Sequence, residues 1–239
     1  TYSRSGQFHL DKDGYLVNPT GARVTGYAAM PGGALNTGSP VDLHISTGDM
    51  PPQVTSQVSA LLNLDSRNAA LPSAGFNLSN PATYHHSTSV SVYDSLGNPH
   101  LMSTYYMKTA PGSWDVFASL DGVQVGAGPV GVINFMGDGQ VNTATTTLPF
   151  TLSAPVSSGA ISPMTFTLDF TGTTQYGASF SLNALSQDGF ASGRLSGFNI
   201  NPDGVIQGRY TNDQSVALGQ LVLVNFANPQ GLTALGDNA

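Results

Sequence analysis

The stretch "GQFHLDKDGYLV", residues 6–17, has a counterpart near the other end of the chain, "GFNINPDGVIQG", residues 197–208. In both, a Phe is followed by an aliphatic residue, an Asp-Gly pair and a second aliphatic residue at the same offsets. The matching positions are Phe8 and Phe198, Leu10 and Ile200, Asp13-Gly14 and Asp203-Gly204, and Leu16 and Ile206. Apolar residues that alternate around an Asp-Gly pair are typical of a β-hairpin. The repeat therefore predicts two similar hairpins packed in one domain.

The composition of the whole chain favours strands and turns. Its 239 residues include 28 Gly, 15 Pro and, together, 48 Ser and Thr, whereas Glu is absent and Lys occurs only at positions 12 and 108. Glu, Lys and Arg are good helix formers, and Gly, Pro and Ser are common in turns. We therefore expect an all-β protein. The absence of Cys excludes disulfides and thiolate metal sites.

The charge of the chain limits its partners. A net charge of −7 with only seven basic residues argues against binding to nucleic acid or to an acidic membrane surface. No apolar run approaches the roughly 18 residues that indicate a membrane span. The sequence therefore predicts neither a nucleic-acid partner nor a membrane partner.

Two changes in amino-acid composition along the chain predict its domain boundaries. A Pro pair in "STGDMPPQVTS" marks a boundary near residue 50. The stretch "TGTTQYGASF", residues 171–180, marks a second boundary, where the chain returns to the first domain. Between them, short apolar runs are separated by Gly, Asn and Pro, as in a sandwich or barrel. We predict two sandwich-like or barrel-like β domains: a discontinuous one over residues 1–49 and 177–239, and one over residues 50–176 inserted into it. The apolar run 221–226 predicts a strand covered on both faces.

The acidic hairpin turn is the first candidate site. Asp11, Asp13 and Gly14 could begin a calcium loop, but an EF-hand loop also needs a distal bidentate Glu, and the chain has none. In a hairpin turn, Asp accepts backbone hydrogen bonds and Gly adopts positive φ. We therefore interpret this Asp-Gly pair, and the four other Asp-Gly pairs of the chain, as turns.

Three histidines form the second candidate, a zinc site. His85 and His86 are adjacent, and adjacent strand residues point to opposite faces, so the two cannot easily share one ion. His100 lies in the turn-like stretch "SLGNPH". All three are interpreted as surface histidines, and no metal-binding residue is predicted.

The chain shows no pattern for catalysis or cofactor binding. It lacks G-x-S-x-G and S-x-x-K, and no glycine-rich loop precedes a helix. Paired carboxylates for glycoside hydrolysis would have to be Asp, and most Asp residues occupy turns where solvation keeps the pKa ordinary. We predict no catalytic residue, no cofactor and no enzyme activity.

The aromatic residues of the middle segment are interpreted as packing elements. They fall in consecutive strand-like runs, with alternate members expected in the core: Tyr93, Tyr105, Tyr106, Trp114 and Phe117. The alternative is a carbohydrate-binding face, which needs several coplanar exposed rings.

The two ends and the middle of the chain together resemble a known family. "YSRSGQFHLDKDGYLVNPTGARVTGY", residues 2–27, and "NINPDGVIQGRYTNDQSVALGQLVLVNFANPQGLTALGDN", residues 199–238, are similar to the two signatures of the flagellar rod and hook family. "VSVYDSLGNPHLMSTYYMK", residues 90–108, and "SWDVF" resemble the inserted domain typical of hook subunits, which rod proteins usually lack. One departure is "YTND", residues 210–213, where many relatives carry Tyr-Ser-Asn-Gly or a similar run.

The resemblance implies a mechanical function. Family members are exported by the flagellar type III apparatus and polymerise outside the cell into a curved tube, a universal joint that transmits torque from the rod to the filament. It implies self-association, rod and hook–filament junction proteins as partners, and a location in the extracellular hook. It also implies that residues 1–49 with 177–239 form an inner domain and residues 50–176 an outer domain.

Two further expectations accompany this resemblance. Family members carry apolar helical segments at both termini, and this chain begins and ends without them, so we expect a truncated core that is monomeric in solution. The rival function is a secreted carbohydrate-binding or adhesin-type β module.

Overall fold

The computed structural model describes residues 6–30, 32–225 and 227 of the chain. It has two compact units: unit 1, Thr1–Met50 with Gly193–Ala239, and unit 2, Pro51–Ser192. Parts of both family signatures, residues 2–5, 226 and 228–238, lie outside the described residues. Within the described ranges, no helix is long and apolar enough to cross a membrane.

Regular structure in both units is almost entirely β, which confirms the predicted all-β class. Two short 3₁₀ helices interrupt unit 2, at Ser73–Gly75 and Pro81–Thr83. The strands in chain order are β1 (His9–Leu10), β2 (Leu16–Val17), β3 (Thr25–Ala28), β4 (Val41–Asp42), β5 (Gln57–Asn63), β6 (His86–Tyr93), β7 (Pro99–Ala110), β8 (Ser113–Leu120), β9 (Val123–Gln124), β10 (Gly131–Asn134), β11 (Phe150–Ala154), β12 (Met164–Asp169), β13 (Ser181–Gln187), β14 (Leu195–Ile200), β15 (Val205–Tyr210) and β16 (Ser215–Leu221).

One loop type connects many of these strands. In residues 11–15, the first residue donates its backbone N–H to the carbonyl of the fifth at 2.9 Å, and the fourth donates to the carbonyl of the first at 3.1 Å. The fourth residue, Gly14, has a φ of 83°, which is favourable only for Gly among ordinary residues. The same two hydrogen bonds recur in the loops 18–22, 94–98, 136–140, 201–205 and 210–214.

Unit 1 contains the two hairpins predicted from the repeated stretch. Leu10 pairs with Leu16 across β1 and β2, and Ile200 pairs with Ile206 across β14 and β15. Leu16 and Ile206 are both fully buried, and both lie in one apolar cluster that also contains Leu43 and Ile45. Phe8 and Phe198, the first residues of the two stretches, pack partly buried against this cluster.

The likeness of the two hairpins extends to the segment beside each of them. The carbonyl of Gly14 accepts a hydrogen bond from the backbone N–H of Ile45 at 2.8 Å. The carbonyl of Gly204 accepts one from the N–H of Leu221 at 2.9 Å. The second hairpin belongs to a five-stranded sheet with the order β14-β15-β16-β3-β4, whereas β1 and β2 form a separate two-stranded sheet.

Unit 2 is a β-sandwich. One sheet has the order β10-β8-β7-β6 with β9 beside β8, and the other has the order β11-β12-β5-β13. Alternate residues of both sheets point into one shared core, as the period of two in a strand requires. Trp114, Tyr106, Phe166 and Phe170 are the largest fully buried side chains of this core.

Two predictions about the second half of the chain are wrong. Residues 177–192 were assigned to the discontinuous domain, but β13 pairs with β5 and Phe190 exchanges backbone hydrogen bonds with Gln53, so this segment lies in unit 2. The other division of the chain falls after Met50. The run from 221 was expected to be a buried strand, but β16 ends at Leu221, and Leu223 is 68% exposed.

Candidate functional site

The acidic turn of the first hairpin is saturated by its own backbone. Asp11 Oδ1 accepts hydrogen bonds from the backbone N–H groups of Asp13 at 2.9 Å and Tyr15 at 2.8 Å. This is the local Asx bonding that makes Asp favourable in turns. The side chain of Asp13 is instead exposed and paired with Lys12. The geometry is therefore that of a hairpin, as the sequence predicted.

No metal site is formed by the side chains that the structure describes. Among residues 6–30, 32–225 and 227, no group of three or more His, Asp, Glu or Cys side chains is arranged to hold an ion. His85 and His86 have ring centroids 6.5 Å apart, and each ring is engaged elsewhere. His85 Nε2 lies 2.9 Å from the carbonyl of Ala69, and the His86 ring stacks on Phe180. Both are partly buried rather than surface residues, and burial lowers the pKa of each.

His100 departs most from the sequence interpretation. It was expected at the surface, but it is buried, and each ring nitrogen faces a carboxylate. Nδ1 lies 2.7 Å from Asp121 Oδ2, and Nε2 lies 3.2 Å from Asp94 Oδ2. The hydroxyl of Ser158 also donates to Asp94 Oδ2. We refer to His100, Asp94, Asp121 and Ser158 as the His100 junction.

Three connections of unit 2 meet at the His100 junction. Asp94 begins the five-residue loop between β6 and β7, and Asp121 lies in the two-residue turn between β8 and β9. Asp121 has a φ of 50° and Gly122 a φ of 80°, which are the positive angles of a type I′ hairpin. Ser158 belongs to the connection 155–163 between β11 and β12. The pairing of β6, β7 and β8 brings Asp94, His100 and Asp121 together, whereas Ser158 comes from the other sheet of the sandwich.

The electrostatics of the His100 junction are those of a charge cluster. Burial by itself lowers the pKa of His100, but the hydrogen bonds that its ring donates to Asp121 and Asp94 outweigh burial, so the pKa is raised. Burial raises the pKa of Asp94, but hydrogen bonds from Ser158, Asn98 and His100 outweigh this, so its pKa is held well below the usual range. The pKa of Asp121 is lowered in the same way, chiefly by its bond to His100.

This arrangement does not form a nucleophilic triad. In a Ser-His-Asp triad the imidazole lies between the hydroxyl and the carboxylate, so that it can remove the hydroxyl proton. Here Asp94 lies between Ser158 and His100, and both imidazole nitrogens face carboxylates. The Ser158 hydroxyl therefore has no imidazole beside it to remove its proton. The junction is therefore suited to holding loops together through charged hydrogen bonds and is not suited to acyl transfer.

The aromatic residues of unit 2 are mainly packing elements. Trp114 and Tyr106 lie in the sandwich core, and Phe117, only 2% exposed, lies on the opposite face of the same sheet. That face is covered by Phe76, whose ring stacks on Phe117 with centroids 3.9 Å apart. Tyr93 and Tyr105 are partly buried. A carbohydrate-binding face needs exposed coplanar rings, so the adhesin alternative gains no support from these residues.

Comparison with known proteins identifies the family. Residues 63–190 match the model of the flagellar basal body protein FlaE D2 domain. Over 99% of its length, the chain is 35% identical to the flagellar hook protein FlgE of Escherichia coli K12 and 33% identical to that of Salmonella typhimurium LT2. The FlgE protein of Treponema pallidum is 31% identical over the same share. The chain spans about three fifths of the length of each of these curated relatives.

A solved structure supports the fold. The crystal structure of Helicobacter pylori flagellar hook protein FlgE2 superposes with a TM-score of 0.67 and covers 99% of this chain and 84% of its own. The identity is 14%, so this match bears on the fold alone. The domain model covers more than half of the chain. The predicted resemblance is therefore confirmed: the chain belongs to the flagellar hook protein family, and residues 63–190 are its FlaE D2 domain.

Proposed function

We propose that this chain is the core of a structural subunit of the bacterial flagellar hook. The observation that carries the proposal is the similarity to hook proteins along 99% of the chain. In this role, full-length subunits polymerise outside the cell into a flexible curved tube. The tube acts as a universal joint that transmits torque from the rod to the filament. Its subunits reach the growing end through type III export.

The arrangement of domains and partners follows from the same family. Unit 1 is the inner domain of the subunit, and unit 2 is the outer domain inserted into it. The main partner is a further copy of the protein, and rod and hook–filament junction proteins contact the two ends of the tube. The relatives are structural proteins, so the chain is not proposed to be an enzyme.

The surface of the chain suits a tube whose subunits slide as it bends. Three ion pairs between exposed side chains are Lys12–Asp13, Arg23–Asp42 and Arg194–Asp49. Exposed pairs of this kind contribute about 0–1 kcal/mol each and are screened by salt. A surface with few charges therefore offers few strong contacts that would lock neighbouring subunits. The absence of Cys is compatible with export in an unfolded state.

Removal of unit 2 from the full-length protein tests the proposal. Met50 and Gly193 exchange two backbone hydrogen bonds, of 2.7 and 3.2 Å, so a two-glycine linker can replace residues 51–192. We expect the shortened subunit to be exported and the cells to lose swimming motility, with abnormal hooks in electron micrographs. The control is the undeleted protein with two glycines inserted after residue 50. Normal swimming and normal hook curvature in the deletion strain would contradict the proposal.

A further inference from the structure

The His100 junction holds together three connections at one end of the unit 2 sandwich. His100 itself lies on β7, next to the loop 94–98, and bonds to Asp94 in that loop and to Asp121 in the β8–β9 turn. The connection 155–163 reaches the same place through Ser158, which donates to Asp94. It is tied a second time by the backbone N–H of Ile161, which donates to Ser95 Oγ at 2.9 Å.

The number of acceptors around His100 determines its charge. A neutral imidazole has one N–H donor and one bare nitrogen, whereas an imidazolium has two donors. Both nitrogens of His100 face carboxylate oxygens, so a neutral ring would place a lone pair against one of them. Only the imidazolium satisfies both contacts.

The carboxylates are held in their charged form by their other partners. Asp94 Oδ1 accepts from the backbone N–H groups of Leu96 and Asn98, both at 2.9 Å, and Oδ2 accepts from Asn98 Nδ2 at 2.9 Å. Asp121 Oδ1 accepts from the backbone N–H of Leu101 at 2.8 Å. These donors favour ionised carboxylates.

The charges that face His100 can be named for every element packed against it. The loop 94–98 supplies Asp94, the β8–β9 turn supplies Asp121, and the connection 155–163 has no ionisable side chain. Its own strand places Pro99 and Leu101 beside it. The junction therefore has a net charge of −1 with the imidazolium and −2 without it. Loss of the proton leaves a carboxylate at each ring nitrogen without a cation between them.

We propose that His100 is a proton-dependent latch: as an imidazolium it closes the loop 94–98, the β8–β9 turn and the connection 155–163 onto one another, and on losing its proton it loosens them. The latch is a property of unit 2 itself and does not depend on the proposed hook function. The raised pKa of His100 agrees with the geometry. Its contribution to stability is fully present below the unfolded pKa of about 6.5 and is lost as the pH rises through the higher folded pKa.

The latch also affects the surface of unit 2, because two of the segments it joins carry exposed apolar side chains. Leu96 lies in the loop 94–98 and is 57% exposed, and Ile161 lies in the connection 155–163 and is 78% exposed. Both large apolar side chains sit on segments that the latch fixes. Release of the proton therefore frees the segments that present them.

Nuclear magnetic resonance on the 239-residue chain tests the latch. The ring nitrogen signals of His100 are expected to show two protonated nitrogens at pH 6.5, with a titration midpoint above the ordinary value of about 6.5. The backbone amide signals of Ser158 and Ile161 are expected to shift with the same midpoint. His85 and His86 serve as internal references, because burial lowers the pKa of each.

Two variants separate the latch from other pH effects. In His100→Gln, the amides of Ser158 and Ile161 should no longer titrate in this range. In Asp121→Asn, which keeps the imidazole, the His100 midpoint should fall. A neutral His100 ring at pH 6.5 would overturn the proposal, and so would a midpoint at or below 6.5. Amides of Ser158 and Ile161 that stay unshifted in the wild type, or that titrate equally in His100→Gln, would also overturn it.

Discussion

Asp213 takes, in the loop between β15 and β16, the left-handed position that Gly204 takes in the loop between β14 and β15. The two loops have the same pair of backbone hydrogen bonds, and their φ angles are 62° at Asp213 and 81° at Gly204. Asp213 is the last residue of "YTND", where many relatives were expected to carry Gly. The departure noticed in the sequence therefore places a side chain where Gly is favoured.

Replacement of Asp213 by Gly should stabilise unit 1. Asp tolerates the left-handed region better than most residues, so the gain is small, about 0.5 kcal/mol after the added flexibility of the unfolded chain is counted. Urea unfolding monitored by circular dichroism measures it. The matched control is Gly21→Asp, at the equivalent position of the loop 18–22, where an added Cβ meets no atom within 4 Å. That variant should lose about as much stability, and a gain there would contradict the explanation.

Truncation of either buried hairpin residue should destabilise unit 1 to a similar extent. Leu16→Ala and Ile206→Ala each remove a fully buried side chain from one small cluster, with an expected loss of about 2–5 kcal/mol. The only Trp of the chain, Trp114, lies in the core of unit 2. Its fluorescence should therefore show that the unfolding midpoint of unit 2 is unchanged in both variants. Val41→Ala, at a side chain that is 47% exposed, is the control and should change stability little. A large loss from only one hairpin would refute their equivalence.

Asp188 should stabilise unit 2 at neutral pH and lose this effect in acid. Its Oδ1 accepts from the backbone N–H groups of Ser56 at 2.8 Å and Gln57 at 3.0 Å. Burial raises the pKa of Asp188, but the hydrogen bonds from the Ser56 hydroxyl and the two backbone N–H groups lower it by more. The folded pKa therefore lies below the unfolded value. The contribution is therefore present above about pH 4 and is lost as the pH falls through the folded pKa.

The variant Asp188→Asn measures this contribution. We expect a loss of about 0.5–1 kcal/mol at pH 7, because two backbone donors lose their charged acceptor and water screens this exposed carboxylate. The difference from the wild type should shrink toward pH 2 in urea unfolding followed by Trp114 fluorescence. Asp138→Asn is the control and should have a smaller effect, because among the described residues its carboxylate accepts from the N–H of Gln140 alone. A loss that is independent of pH would point to packing instead of charge.

Calcium should have no effect on the acidic hairpin. Asp11 already accepts two backbone hydrogen bonds through Oδ1, and no metal-binding cluster is present in the part of the chain that the structure describes. The melting temperature of the 239-residue chain should therefore be the same in millimolar Ca²⁺ and in EDTA. Asp11→Ala should lower the stability of unit 1 by about 1–2 kcal/mol in both buffers. A stabilisation by Ca²⁺ that disappears in Asp11→Ala would show that the turn is a site after all.

Local patterns in the sequence were sufficient for the class and the hairpins but not for the contacts between distant segments. Glycine at the fourth position of a loop and alternating apolar residues are read directly from "GQFHLDKDGYLV", and the structure has that hairpin. The strand β13 was assigned to the wrong domain because its residues are largely exposed and carry no apolar pattern that marks their partner. Its pairing with β5 depends on residues more than a hundred positions away.

The same reason explains the error at His100. Nothing within "SLGNPH" indicates burial, and the second carboxylate, Asp121, is 21 residues away in the sequence. Asp94 lies in the loop between β6 and β7, and Asp121 lies in the turn between β8 and β9. That both contact His100 can be inferred only when the pairing of these strands is already known. Pairings between neighbouring strands can therefore be inferred from sequence more readily than the side-chain clusters that several loops build together.

The bonds between Met50 and Gly193 also bear on the order in which the chain folds. All of unit 2 separates these two residues in the sequence, and closing a flexible loop of that length costs about 4 kcal/mol in chain entropy. Once unit 2 has folded, Gln53 and Phe190 are bonded to each other, and only a few flexible residues remain on either side. Folding of the inserted sandwich thus brings Met50 and Gly193 close together and shortens the flexible loop that must be closed between them. Unit 1, whose two hairpins come from opposite ends of the chain, is expected to assemble last.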